Sequence, residues 1–487
     1  MNAIQFDATQ LGALLPSIVL SATIVTVMLG IAVRRCHRVT ATLSMLGAAL
    51  ALVCVMPIWL GGAEPVVVTP LLTIDAQSGF YMLLVLAAVL GVLALCHAYF
   101  AGCAGDREEI YLLILLGGLG GLTLAGASHA ATLFIGIELL SLPMVAGVAY
   151  AIHDRRALEG GVKYLALSAG ASATLLFGLA LIYADIGRLD LGAFATALAG
   201  ASADTPLVLT GGAMLLAGLA FKLSLVPFHQ WTPDVYEAAP APVAAYLATV
   251  VKVGVFAVVL RLLHAGGGTA APQFVNALVV LALASILVGS VLALRQDNLK
   301  RLLAYSSIAH FGFLLIILVV PGAGTSAVAA IYLLTYVVTA LGVFGAVALA
   351  SSPAGDRDRE LLGDYRGLFQ RRPWVVAALT LMLLSLAGIP VTAGFIGKFS
   401  VLALAVASGQ WLLVGGLLLG SAIGLFYYLR VIGALYAAPP AGSPTPVATG
   451  TAVAARWSAG AVMVLLAVLL TLAIGIYPEP LLQLLHP

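Results

Sequence analysis

Charge is what this sequence has least of. Aspartate, glutamate, lysine and arginine make up 9% of its 487 residues, against about 25% in a soluble domain. Hydrophobic residues reach 62%, so the remainder cannot cover a core with a water-compatible surface, and the chain is expected to lie in a lipid bilayer. The net charge of +2 and the lack of any dense basic run exclude nucleic acid as a partner. Cysteine is also scarce. Cys36, Cys54, Cys96 and Cys103 show no CxxC or Cys/His spacing and read as small hydrophobes in or beside apolar runs. There is no HExxH, no carboxylate cluster, no glycine-rich phosphate loop and no haem or iron–sulfur motif, so no cofactor or metal is expected in this chain. The first residues, MNAIQFDATQ, lack a basic n-region, and the first apolar run reads as a retained helix.

Apolar runs are what the sequence has instead. Stretches long enough to span a bilayer, about 20 residues each, fall near 11–33, 41–61, 78–101, 109–127, 129–151, 160–185 and 206–226. Seven more fall near 240–263, 273–294, 300–320, 325–350, 373–405, 411–437 and 457–477. The expected fold is therefore all-α and polytopic, with 14 transmembrane helices. Basic residues alternate sides along the chain. Arg34, Arg35, Arg38, Arg107, Arg155, Arg156, Arg295, Lys300, Arg301, Arg357, Arg359, Arg366, Arg371, Arg372 and Arg456 follow odd-numbered spans, whereas Arg188 and Arg261 lie on the other side. The positive-inside rule puts the odd connections in the cytoplasm and both termini outside.

A few charges remain inside the spans: Glu138, Lys163, Lys222, Lys252, Lys398 and, toward the end of the thirteenth, Arg430. Each costs roughly 2.5–3.5 kcal/mol at bilayer depth. Lys163 and Arg430 stand near span ends, where a long side chain can reach the interface. Glu138 and Lys252 are some ten residues from either end and cannot. A static Glu–Lys pair between helices would explain two of these charges and leave an excess of buried lysine. His310, in mid-span, has the pKa range of a proton relay; His229 is placed to cap backbone, and His97 to pack.

Two spans are interrupted. AFKLSLVPFHQWTPDVYEAAPAPV, from Ala220 to Val243, carries prolines at 227, 233, 240 and 242; LSLAGIPVTAGFIGKF carries Pro390 before Lys398. Both interruptions open with Leu-Ser-Leu, at 223–225 and 384–386. Proline frees carbonyls of the preceding turn, and broken backbone at membrane depth is tolerated only inside protein or along a wet cavity. Broken helices at matching places in two halves point to an ion site built from internal repeats. Spans 4–8 and 9–13 form such halves, and because five is odd the two repeats are inverted. The expected organisation is an N-terminal three-helix segment (1–104), repeats at 105–264 and 265–440 with broken helices 7 and 12, and a C-terminal helix at 441–487.

The segments IELLSLPM, FKLSLVPFHQWTPDVYEAAPAPV, LKRLLAYSSIAHFGF and LAGIPVTAGFIGKF resemble the antiporter-like subunits of respiratory complex I, the NADH–quinone oxidoreductase. Lys398 in place of a glutamate, and no length for a C-terminal lateral helix, resemble one kind among them. The resemblance implies a proton-translocating subunit of the membrane arm in a bacterial inner membrane. It implies roles in the proton path for Glu138, Lys222, Lys252 and Lys398, with Lys163 and His310 along the route, and Glu138 and Lys222 as partners. It places FMN, iron–sulfur clusters and quinone in partner subunits, and makes sister antiporter-like subunits, lipid and internal water the partners of this chain. Related readings are a subunit of a multisubunit Na⁺/H⁺ antiporter or of a membrane-bound hydrogenase; a scaffold whose lysines bind lipid is the reading from another class.

Overall fold

The structure, a computed structural model, describes residues 7–61, 64–101, 107–266, 270–320, 324–351, 358–438 and 458–485. Cys103, Arg357 and Arg456 lie outside the described residues. The helices of the first part are α1 (Ala8–Val33), α2 (His37–Leu60), α3 (Ala76–Phe100), α4 (Glu109–Ala125), α5 (Ala130–Val148), α6 (Arg155–Ile186), α7 (Leu191–Ala199), α8 (Pro206–Leu223), α9 (Trp231–Ala238), α10 (Ala241–Ala248) and α11 (Val250–Ala265). The second part holds α12 (Pro272–Leu294), α13 (Leu299–Val319), α14 (Thr325–Ser351), α15 (Leu368–Arg371), α16 (Pro373–Ala387), α17 (Ala393–Ala407), α18 (Trp411–Tyr436), α19 (Ala459–Ile476) and α20 (Glu479–Leu485). Among the described residues 12 segments are helical, long and apolar enough to cross a membrane, and α4, α16 and α17 are shorter apolar helices.

Caps decide where the helices begin, and here the structure departs from the hydrophobic onset. The sixth run starts at Arg155 rather than near 160, because the Asp154 side chain accepts the Arg156 N–H at 3.0 Å and caps the helix before its apolar part begins. Two larger differences matter more. The run at 240–263 is two helices, α10 and α11, joined at Thr249 with φ −115° and ψ −74°. The Thr249 hydroxyl donates back to the Ala245 carbonyl at 2.6 Å, a bond that bends helices. The fold is also not purely helical. Val66–Thr69 and Leu72–Ile74 pair as an antiparallel hairpin, β1 and β2, in a β-branched stretch too short to register against the helical runs around it.

The interior is made of α10, α11, α13 and α14, with α3 beside them; α1, α2 and α6 turn broad apolar faces outward. Small residues let the backbones approach. Between α6 and α8, a Cβ on Gly178 would lie 2.6 Å from the Gly211 carbonyl, and one on Gly211 would lie 2.8 Å from the Gly178 carbonyl. Only glycine fits that crossing.

The connections sort onto two opposite ends. On one, Arg35 pairs with Glu109 at 2.7 Å and Arg156 with Glu360 at 2.8 Å. Lys300 pairs with Asp358 at 2.7 Å, and Tyr99 donates to the same Asp358 at 2.8 Å. At the other end Arg261 holds Asp75 through two nitrogens at 2.8 and 3.1 Å, and the hairpin joins the α4–α5 turn through Thr73 N–H to Gly126 at 2.9 Å. Burial on its own would raise the Asp75 carboxyl, but the Arg261 charge and the Ser78 hydrogen bonds prevail and hold it below the ordinary carboxylate range. The basic connections that follow odd-numbered runs thus meet one another at a single end.

Candidate functional site

The side chains that the sequence singles out gather around the two helix breaks. α8 runs to Leu223 and stops at Ser224, whose φ of 62° ends the helix in a left-handed turn. Chain without regular helix follows from Leu225 to Gln230, and α9 then leads away. The Trp231 indole N–H donates to the Phe221 carbonyl at 3.0 Å, satisfying one acceptor that the break sets free. This geometry leaves Lys222, 1% exposed, pointing into the protein.

Lys222 Nζ donates to Ser141 Oγ of α5 at 3.0 Å and to Ser168 Oγ of α6 at 2.7 Å. Glu138, one turn before Ser141 and half-buried, accepts from Ser172 Oγ instead. The two charges are close enough to interact electrostatically, yet they form no ion pair. Three serines stand between them. The expected direct partnership is therefore replaced by a hydroxyl cluster, and burial of a fully paired charge is not what fixes Lys222.

Lys252 is completely buried on α11. Its Nζ donates to the Lys222 backbone carbonyl at 3.1 Å and to the Ser224 hydroxyl. It also stands 5.4 Å from the Trp231 ring centre and 5.3 Å from that of Phe311, two π faces that attract a cation. A carbonyl freed by one break thus receives the central lysine.

The second break has the same plan. α16 ends at Gly388, with φ 84°, and α17 begins at Ala393. Lys398 Nζ donates to the freed carbonyls of Leu386 at 2.7 Å and Ala387 at 3.0 Å, 5.4 Å above Phe313. His310, on α13, is held between two phenols: Nδ1 lies 2.8 Å from Tyr332 Oη and Nε2 3.4 Å from Tyr428 Oη. A small cavity whose lining includes His310, Tyr332, Tyr336, Thr339, Ser385 and Lys398 joins the two groups. Hydroxyls pair around it: Ser306 with Tyr428, Ser307 with Tyr336 at 2.7 Å, and Thr339 with Ser385 at 3.0 Å.

Comparison with known proteins now bears on this arrangement. Residues 127–424, which include both breaks and every buried lysine, match the family described as "NADH:quinone oxidoreductase/Mrp antiporter, TM". The NADH-quinone oxidoreductase subunit N of Ectopseudomonas mendocina (strain ymp) is 51% identical over 100% of this chain and 98% of that one. The chain belongs to this family. Among solved structures, a chain of respiratory complex I from Thermus thermophilus superposes with a TM-score of 0.80 at 34% identity, covering 96% of this chain and 98% of that one. A chain of the Mrp complex from Dietzia sp. DQ12-45-1b gives a TM-score of 0.81 at 21% identity, over 98% of this chain and 96% of that one, and shares the fold.

Not every charge expected along the axis of this antiporter-family chain joins it. Lys163 is half-exposed and bonds Glu159 at 2.6 Å and Asp234 at 3.3 Å, at the end of the molecule where the basic connections meet. Asp234 also receives Arg301 at 2.6 Å. Burial would raise the Asp234 carboxyl, but Arg301 and Lys163 outweigh it and keep it below its usual range. Arg430 bonds the Gln296 carbonyl and lies 3.6 Å from Asp297, an anchor at the same end. Sequence reading passed over Ser141, Ser168, Ser172, Tyr332, Tyr336 and Tyr428. A signal exists for the serines: 168 and 172 are four apart and 138 and 141 three apart, which puts each pair on one helix face.

Proposed function

We propose that this chain carries protons across a bacterial inner membrane as a membrane-arm subunit of NADH-quinone oxidoreductase. The protons follow the axis Glu138–Lys222–Lys252–His310–Lys398. One observation carries the reading: three amines and an imidazole are almost fully buried in an apolar interior, and their partners are hydroxyls, freed carbonyls and π faces. A buried charge with no fixed counter-ion costs stability, and groups able to accept and release protons repay that cost only by function. Subunit N of the Ectopseudomonas enzyme and the Thermus complex I chain support the assignment.

Lys222, with Glu138 near it across a layer of serines, is the first protonatable stage. Its backbone carbonyl faces Lys252, so a change at the break is felt directly by the central amine. Lys252 exchanges with His310, and His310 with Lys398, through internal water and the hydroxyls between them. Lys163 lies on the route's uptake side. Redox energy comes from partner subunits that hold FMN, iron–sulfur clusters and quinone, and it reaches this chain as a shift between two states of the axis. Sister antiporter-like subunits are the neighbours. On the same reading the chain has 14 spans, counting α4 and the broken pair α16–α17. Spans 4–8 (105–264) and 9–13 (265–440) are inverted repeats, preceded by residues 1–104 and followed by 441–487. The end that carries the basic connections is cytoplasmic, and both termini are periplasmic.

The test is at Lys252, in sealed membranes. Lys252→Met keeps length and apolar stem; Lys252→Arg keeps a charge that does not come off. Both are expected to lower NADH-driven proton translocation with subunit levels near normal. Full pumping by the Met variant would end the proposal. Co-purification with flavin- and cluster-bearing subunits separates it from an Na⁺/H⁺ antiporter of the same fold.

A further inference from the structure

The two breaks end their first helices in the same way and with different residues. At α8, the Ser224 N–H donates to Phe221 at 3.0 Å and the Leu225 N–H to Ala220 at 2.8 Å. At α16, the Gly388 N–H donates to Ser385 at 2.9 Å and the Ile389 N–H to Leu384 at 3.1 Å. This is one C-terminal motif, whose key residue takes a left-handed conformation and is usually glycine. Gly388 obeys the rule, with a further reason: a Cβ there would come within 2.9 Å of Lys398 Cδ. Position 224 breaks it. Serine has no preference for left-handed backbone, and among the described residues only Ser224 and Val391 are non-glycines at positive φ. A strained residue retained where glycine would serve calls for a reason in its side chain.

That reason lies around Lys252. Its amine meets the Lys222 carbonyl and two aromatic faces, and all three favour the ammonium. None can donate to the lone pair of a neutral amine. The Ser224 hydroxyl is the fourth neighbour, and it also contacts Thr232 Oγ1 at 2.6 Å. A hydroxyl both donates and accepts. We infer that Ser224 is a positioning residue for proton transfer at Lys252: its oxygen accepts from the ammonium and from the Thr232 hydroxyl, and when the amine is neutral its own proton rotates to donate to Lys252 Nζ while Thr232 still donates to it. The left-handed turn holds the oxygen where both arrangements reach. Each left-handed cap therefore serves a lysine, Gly388 by leaving room for Lys398 and Ser224 by supplying a reversible partner for Lys252.

The inference rests on the proton-relay reading of Lys252, so the experiment carries a control for that reading. NADH-driven proton translocation per NADH oxidised, and subunit abundance, are measured in sealed membranes for Ser224→Gly, Ser224→Ala, Ser224→Cys and Lys252→Met. Glycine relieves the backbone, alanine keeps its strain, and both lack the hydroxyl. Cysteine keeps the strain and offers a weak donor and acceptor. Expected are normal abundance throughout, a loss of about five-fold or more in both the Gly and Ala variants, the worth of one hydrogen bond, and partial recovery with Cys. A Gly variant that pumps normally overturns the inference, because the position then matters only for its backbone. A Cys variant no better than Ala overturns it too. If Lys252→Met pumps normally, the relay reading itself has failed; if that variant loses pumping while Ser224→Gly keeps it, only the role of Ser224 has failed.

Discussion

Glu138 is the residue whose environment differs most from what its neighbours suggest. A carboxylate at bilayer depth beside a lysine invites a salt bridge, yet Lys222 bonds Ser141 and Ser168 while Ser172 bonds Glu138. Because Glu138 and Lys222 form no ion pair with each other, neutralising Glu138 does not strand Lys222 without a partner. Glu138→Gln keeps an oxygen for Ser172 and removes only the charge that Lys222 senses. Subunit abundance is therefore expected to hold, while proton translocation falls about ten-fold, the effect of roughly 1.4 kcal/mol of lost charge–charge interaction. Normal pumping in sealed membranes would show that the charge is idle. The contrast with Lys163 follows from depth alone: it stands near a helix end and reaches a solvated cluster with Glu159 and Asp234, so its charge costs little and tells little.

At the scale of elements, the junction between α9 and α10 is held from outside the helices it joins. Lys300, the second residue of α13, donates to the Ala239 carbonyl at 2.8 Å and pairs with Asp358 at 2.7 Å. The pair is nearly dry, with side chains 4% and 2% exposed. Removing one member leaves the other buried and uncompensated, at a cost of about 3–5 kcal/mol. Asp358→Ala is thus expected to reduce the assembled complex in membranes, as read by native electrophoresis and thermal unfolding. Asp358→Asn, whose one amide oxygen still accepts from Lys300 while its NH2 donates to the Tyr99 hydroxyl, should be milder. An Ala variant with full abundance and unchanged unfolding temperature would show the clamp to be dispensable. Of these elements the sequence revealed the two proline breaks, because proline removes a donor wherever it stands. The bend at Thr249 was hidden: a threonine in an apolar run can accept a helical place or bend it, and the choice depends on what packs around it.

For the whole molecule, sidedness is the property most open to measurement. Gln370 is exposed on the end where the basic connections converge, and Arg188 is exposed on the other, its side chain 69% accessible. A cysteine at Gln370 should react with an impermeant label from the cytoplasm only, and one at Arg188 only from outside; the reverse pattern would invert the proposed orientation. The sequence by itself determined that this chain is a helical membrane protein, where most of its helices lie, and which few charges have no business in lipid. These follow from local quantities, namely hydropathy over a helix length, the rigidity of proline and the cost of an unsolvated charge, and none needs knowledge of a neighbour. Tertiary structure alone decided who meets whom. Serines 54 and 81 positions away from Lys222 receive its amine, two tyrosines flank His310, and Lys252 finds the carbonyl of Lys222. Hydroxyl groups are cheap enough in an apolar helix, bonding back to their own backbone, that sequence gives them no distinguishing mark. Only the folding of distant helices onto one another turns them from that default toward a buried amine.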